Sequence, residues 1–223
     1  MVKVASFFKR RPGMAVDDFQ AYWLTRHPDV VTKLSGVRRY VQSHTRLAAY
    51  RNGEPVYDGI AELWFDDTRA LRSLRDTPEM EAVQADEARF IDRSTMGFII
   101  TDDHVIVDGR VPPDAAKGVG FVRRQSGMSV EAFQRHWHQV HGPLGAAMPT
   151  LRRYVQSHTR LAGYDHGREP AWDGLAILWF DDSAALRAAT TTPEWQRAKA
   201  DDPNFIAPGP VTFIITTEHV IIE

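Results

Sequence analysis

The sequence predicts an α+β protein built of two tandem βαββαβ modules, each a ferredoxin-like split βαβ sheet with its helices on one side. Three observations predict it. First, the chain repeats itself: Arg38–Ala48 reads RRYVQSHTRLA, and Arg152–Ala162 reads the same. Second, each copy alternates runs of β-branched and aromatic residues with runs of helical apolar spacing. Third, the order of those runs is strand, helix, two strands, helix, strand, which is the split βαβ arrangement.

The repeat extends well beyond the identical block. Met14, Phe19, Trp23 and His27 match Met128, Phe133, Trp137 and His141. LWFDD at Leu63–Asp67 returns at Leu178–Asp182 after a one-residue insertion, followed by Pro78-Glu79 with Pro193-Glu194, Phe90 with Phe205, and His104 with His219. Self-similarity over nearly the whole length decides the architecture before any single element does. The modules are expected at residues 1–108 and 118–223. Residues 109–117, with Pro112 and Pro113 among small and polar neighbours, read as a linker.

Within the first copy, Val2–Lys9 is β-branched and aromatic and predicts a strand. Phe19, Trp23, His27, Val30 and Leu34 recur at helical spacing, which predicts an amphipathic helix over Val16–Leu34. Pro28 after His27, and Gly142-Pro143 after His141, should end or distort that helix beside the imidazole. Ser129 can cap the second copy's helix, whereas Ala15 stands in the first. Val37–Leu47 and Gly59–Phe65 predict strands joined by a loop with Asn52-Gly53. Asp66 or Asp67 can cap a helix over Thr68–Phe90 that Thr77-Pro78 interrupts, and Met96–Val107 predicts the closing strand. Such a sheet keeps one apolar face open, and the tandem copy is its natural cover.

Composition removes several classes of function. The net charge of −2 offers no basic field for nucleic acid. No apolar run reaches the roughly 20 residues of a membrane span, and the N-terminus lacks the charge order of a signal peptide. A cytoplasmic protein without nucleic-acid or membrane partners is expected. With no cysteine there is no disulfide, thiolate nucleophile or thiolate metal site. No GxGxxG, phosphate loop, HExxH or GxSxG is present, so dinucleotide, ATP and serine-hydrolase chemistry lack support.

The residues that could do chemistry lie in the repeat. His27 and His141 fall four residues after a tryptophan, on the buried stripe of a helix, and histidine titrates near neutrality. Tyr40, Gln42 and His44 alternate along a strand about 6.6 Å apart, so they share one face. Tyr154, Gln156 and His158 repeat the set. They either meet a polar ligand or bond each other and the first helix. Asp58 and Asp173 could orient a histidine or form an Asp-Gly turn. Glu62 stands mid-strand where the second copy has Ile177, which requires a partner or a pocket. His104 is a candidate pocket residue. Phe8, Trp23 and Trp64, with Trp137, are candidate apolar walls. His136, His138 and His141 form H-x-H-x-x-H without a matching carboxylate, so a structural role is favoured over a metal, and no metal is expected.

The sequence of motifs R-x-P-G-M, then Phe-x3-Trp-x3-His-Pro, RRYVQSH and DGIAELWFD, resembles the EthD family of the dimeric α+β barrel superfamily. The resemblance covers both copies. It implies an intramolecular dimeric α+β barrel with a pocket between each sheet and its helices. Relatives in that superfamily range from cofactor-free cyclases and decarboxylases to monooxygenases, haem enzymes and proteins without a known reaction. The expectation is a lyase-type enzyme without cofactor, acting on an aromatic or polyketide-like small molecule. His27, or His141, serves as acid or base, Tyr40 and His44 hold the substrate, and Glu62 acts as partner. The alternatives are a ligand-binding or oxygenase-accessory protein and a cofactor-independent monooxygenase. Monomer and homodimer stay open.

Overall fold

A computed structural model describes all 223 residues, Asn52 by its backbone alone. Sixteen main elements follow in the order β1 Val2–Arg10, α1 Val16–Thr25, α2 Pro28–Val31, β2 Val37–Thr45, β3 Gly59–Phe65, α3 Thr68–Arg72, α4 Pro78–Glu87 and β4 Ile91–Asp108, then β5 Ala116–Val122, α5 Val130–His136, α6 Gly142–Ala146, β6 Leu151–Thr159, β7 Gly174–Phe180, α7 Ser183–Ala189, α8 Pro193–Asp201 and β8 Thr212–Ile222. They form two compact units, one of Met1–Ile100 with Glu218–Glu223, the other of Thr101–Thr217. Each unit is thus completed by part of a long last strand, β4 or β8.

In the first unit β3 is the central strand. It pairs antiparallel with β1 in the register Ala5↔Glu62 and with β2 in the register Gln42↔Ala61. In the second unit β7 plays the same part, with Val119↔Ile177 and Gln156↔Ala176. Alternation along these strands decides what each side chain can reach. Val4, Ser6 and Phe8 with Ala61, Leu63 and Phe65 line a cavity on the helix side of the first unit. Lys3, Ala5 and Phe7 with Ile60, Glu62 and Trp64 therefore point to the opposite face.

The helices show where local chemistry overrides periodicity. The helix predicted over Val16–Leu34 is two, α1 and α2, because Pro28 lacks an N–H and opens α2 as its first residue. Just before the break the His27 N–H donates to the Tyr22 carbonyl at 3.3 Å, five residues back. The second unit makes the same widening a full π turn over Trp137–His141. Such one-residue insertions re-aim the side chains that follow them. Ser129 Oγ caps α5 at the Ala132 N–H, and Ala15 leaves α1 uncapped. Asp67 caps α3 through two N–H groups, and Thr77 caps α4 before Pro78.

Two strand ends differ from expectation. β2 stops at Thr45, two residues early, because Leu47–Asn52 coil into a 3-10 turn. β4 starts at Ile91, five residues before Met96, where Asp92, Arg93, Ser94 and Thr95 hide the strand pattern. Thr95 is held there by accepting the Lys9 N–H at 3.0 Å. In the first unit the core lies between sheet and helices, with Phe8, Phe19, Trp23, Phe90 and Ile91 in one cluster and Val2, Val31, Tyr40, Phe65 and Val83 in another. The described residues include no helix long and apolar enough to cross a membrane.

Candidate active site

The first unit encloses a cavity of about 490 Å³ between β1, β2 and β3 on one side and the helices on the other. That volume lies in the range of small-molecule sites. Phe8 and Trp23 form apolar walls. His27, Tyr40, Glu87 and Arg93 bring the functional groups.

His27 sits at the break between α1 and α2, and its ring packs edge-on against Phe90 at 4.9 Å. Its Nδ1 lies 2.8 Å from Asp86 Oδ2, and the other Asp86 oxygen accepts the Tyr22 hydroxyl at 2.7 Å. A carboxylate at Nδ1 holds the neutral ring in the tautomer that donates there, leaving Nε2 with its lone pair. Burial lowers the His27 pKa below 6.5, although Asp86 pulls the other way. His27 is therefore neutral at pH 7 and equipped to accept a proton.

Glu87, the next residue along α4, has the opposite perturbation. Burial raises its carboxyl to about 7, with Asp86 adding to the rise and Arg93 opposing it. One cavity thus holds a neutral imidazole and a carboxyl that is half protonated near neutrality. Titratable groups perturbed by burial and by specific charged neighbours in one cleft are what acid/base chemistry requires.

Tyr40 is set by a rail of hydrogen bonds along β2. His44 Nε2 meets Gln42 Oε1 at 2.9 Å, and since an amide oxygen only accepts, His44 donates. Gln42 Nε2 donates to the Trp23 carbonyl at 2.8 Å and to Tyr40 Oη at 3.0 Å. Trp23 Nε1 donates to the same oxygen at 3.2 Å. Tyr40 Oη has then used its lone pairs, and its own proton is the group left for the cavity. Burial raises the Tyr40 pKa, so it donates a hydrogen bond and keeps its proton.

The other expected site residues divide. His44 does not line the cavity: it stacks on Trp23 at 4.3 Å, meets His219 at 4.7 Å, and burial lowers its pKa to about 3. The expected convergence of His27, Tyr40 and His44 is therefore limited to His27 and Tyr40. Gln42 is spent on Tyr40, Trp23 and His44 and does not line the cavity. Glu62 lies on the opposite sheet face, paired with Lys3 Nζ at 3.1 Å with both groups buried. Ala61 and Leu63 take the cavity side, so strict alternation excludes Glu62 from partnering His27. Trp64 shares that far face, under Lys3 and Arg39 at 5.2 and 5.5 Å. Asp58 orients no histidine. It accepts from the Arg10 N–H at 2.7 Å, Arg10 Nη1 at 2.9 Å and Tyr50 at 2.6 Å, tying β1 to the turn before β3. Asp173 does the same for Arg124 and Tyr164.

The second unit holds a cavity of about 470 Å³ lined by Trp137, His141, Tyr154, Trp195, Lys199 and Asp202 among others. His141 Nδ1 lies 3.1 Å from Asp201, which also receives His136 Nε2 at 3.0 Å. His158 bonds Gln156 and stacks on Trp137 at 4.6 Å. His104 lies against His158 and His138 at 4.3 and 5.2 Å and does not line the cavity. The H-x-H-x-x-H motif is split between Asp201 and this ring cluster. Among the described residues no group of three His, Asp or Glu is arranged for a metal.

Asp86 and Glu87 were missed from the sequence. The available signal was the recurrence of an acidic pair, Asp86-Glu87 and Asp201-Asp202, eight residues after the matched prolines.

The sequence matches the EthD domain twice, over residues 11–94 and 125–209. The chain belongs to the EthD family. No curated protein matches it. Among solved structures, an anthrone oxidase-like protein shares 11% identity at a TM-score of 0.66, over 100% of this chain and 93% of its own. A candidate monooxygenase from Fusobacterium nucleatum shares 6% at 0.61, over 98% and 93%. A mutant chlorite dismutase from Candidatus Nitrospira defluvii shares 9% at 0.52, over 96% and 90%. Such identities show the fold alone. The tandem EthD chain is an α+β protein of the ferredoxin-like, dimeric α+β barrel class.

Proposed function

We propose that the protein is a cofactor-independent lyase-type enzyme acting on an aromatic or polyketide-like small molecule in the cavity of the first unit. The observation that carries this reading is the pairing of Asp86-oriented His27 with the raised carboxyl of Glu87 in one aromatic-walled cavity. His27 Nε2 takes a proton from an acidic carbon or phenol of the substrate. The Tyr40 hydroxyl donates to the oxygen on which charge develops, a role that a buried, fixed donor performs without reorganisation. Glu87 returns a proton, either to the carbon from which carbon dioxide leaves or to a departing hydroxyl in a cyclisation with dehydration. Asp86 positions the base and does not itself meet the substrate.

The test is a panel of hydroxylated aromatic acids and polyketide-like ketones, assayed anaerobically for carbon dioxide release and for product absorbance. Wild type should turn over at least one of them, and His27→Ala and Glu87→Gln should each lose about 10²–10⁴-fold. Turnover that requires dioxygen and consumes it would replace this reading by a cofactor-independent monooxygenase, in which the same base forms a phenolate. A haem absorbance band in the purified protein would end the cofactor-free reading. Binding with equal affinity in all variants and turnover in none would leave a ligand-binding or accessory protein.

A further inference from the structure

The second unit repeats the donor rail of the first. Gln156 Nε2 donates to the Trp137 carbonyl at 2.8 Å and to Tyr154 Oη at 2.9 Å. Gln156 Oε1 is taken by His158 Nε2 at 3.1 Å, so the amide cannot turn round to accept. Tyr154 is 2% exposed, and among the described residues none accepts its hydroxyl proton. A buried donor without an acceptor costs about 1–3 kcal/mol. Tyr154 lines a cavity of about 470 Å³, where an acceptor oxygen within reach of its hydroxyl would remove that cost.

The acid is not repeated. Asp202 stands where the first unit has Glu87, one methylene shorter, and Lys199 Nζ bonds its carboxylate. Pro208 stands where the first unit has Arg93. Asp201 is shared between His141 and His136, whereas Asp86 serves His27 and a tyrosine. The rail that holds an oxygen is therefore kept and the proton donor is lost.

We propose that the second unit carries its own small-molecule site, which holds an aromatic ligand through an acceptor oxygen at Tyr154 and does not transform it. The aromatic class of ligand rests on the reading of the first cavity, but occupancy of the second does not. Naphthoate, which carries acceptor oxygens, and methylnaphthalene, which carries none, are the probes. Equilibrium dialysis should find two naphthoates per wild-type chain. Ala176→Phe fills the second cavity and should leave one, and Ala61→Phe fills the first and should also leave one. Wild-type stoichiometry in folded Ala176→Phe overturns the proposal. A drop in Ala176→Phe with none in Ala61→Phe upholds it and instead refutes the reading of the first cavity. Tyr154→Phe in the Ala61→Phe background is the gentler variant. It should weaken naphthoate about tenfold and leave methylnaphthalene unchanged. Equal affinity for naphthoate with and without the hydroxyl overturns the role of Tyr154.

Discussion

Glu87 gives the sharpest test because its perturbation has a fixed sign in stability as well as in catalysis. Burial raises its carboxyl from 4.5 to about 7, with Asp86 reinforcing and Arg93 opposing. The folded state therefore holds this proton more tightly than the unfolded chain. Its contribution to stability is fully present below about pH 4.5 and is lost as pH rises through about 7. At about 1.4 kcal/mol per tenfold change in proton affinity, the full difference is about 3 kcal/mol. Glu87→Gln keeps the shape of the protonated side chain and removes the titration. In urea unfolding, the variant and wild type should match near pH 4, and the variant should gain up to about 3 kcal/mol over wild type by about pH 8. A gap of constant size across that range would refute the reasoning, and so would a wild type that becomes the more stable protein as pH rises. The same titration should appear in turnover as a fall on the alkaline side of about pH 7, because the acid form is then depleted.

Three further outcomes follow from named contacts. Asp86→Asn replaces an acceptor by an amide whose N–H₂ can donate to Nδ1, so the His27 proton should move to Nε2; nitrogen NMR would show the tautomer change, and turnover should fall about 10²–10⁴-fold. Glu62→Gln should destabilise the fold by about 3 kcal/mol through its buried pair with Lys3 and leave naphthoate affinity in the first cavity unchanged, as calorimetric melts and dialysis would establish. Gly59→Ala places a Cβ 2.2 Å from Trp23 Cζ3, and Gly174→Ala places one 2.5 Å from Trp137 Cζ3, so each should cost about 1–3 kcal/mol or more and shift the tryptophan fluorescence.

The fold was legible because repetition and periodicity act over many residues. Gly59–Phe65 and the capping roles of Ser129 and Asp67 could be read locally, since each depends on its own few neighbours. Pro28 announced a distorted helix end, but the two-helix outcome depended on the Tyr22 carbonyl bonding five residues onward. The early start of β4 was hidden because Asp92–Thr95 are polar and their strand partners are far away in sequence. Thr95, for example, answers to the Lys9 N–H.

The site was half legible for a related reason. Alternation correctly put Tyr40, Gln42 and His44 on one face, yet it says nothing about depth along that face. Tyr40 reaches the cavity, whereas His44 is a rung behind Trp23 and bonds Gln42 instead. Glu62 drew attention as a carboxylate in a strand with an apolar counterpart, but its parity places it on the face away from the helices. The carboxylates that meet His27 and the cavity lie at the end of α4, where an acidic residue looks like an ordinary solvated helix end. What distinguishes Asp86 and Glu87 is the imidazole that the break at Pro28 swings against one of them and the low-dielectric cavity that receives the other. In the second unit the corresponding helix end, Asp201-Asp202, meets Lys199 and a second histidine, so both carboxylates are held by neighbouring side chains. The difference between the two sites therefore rests on four side chains, Tyr22 against His136, Gln84 against Lys199, Glu87 against Asp202 and Arg93 against Pro208, while the eleven-residue block that builds both donor rails is unchanged.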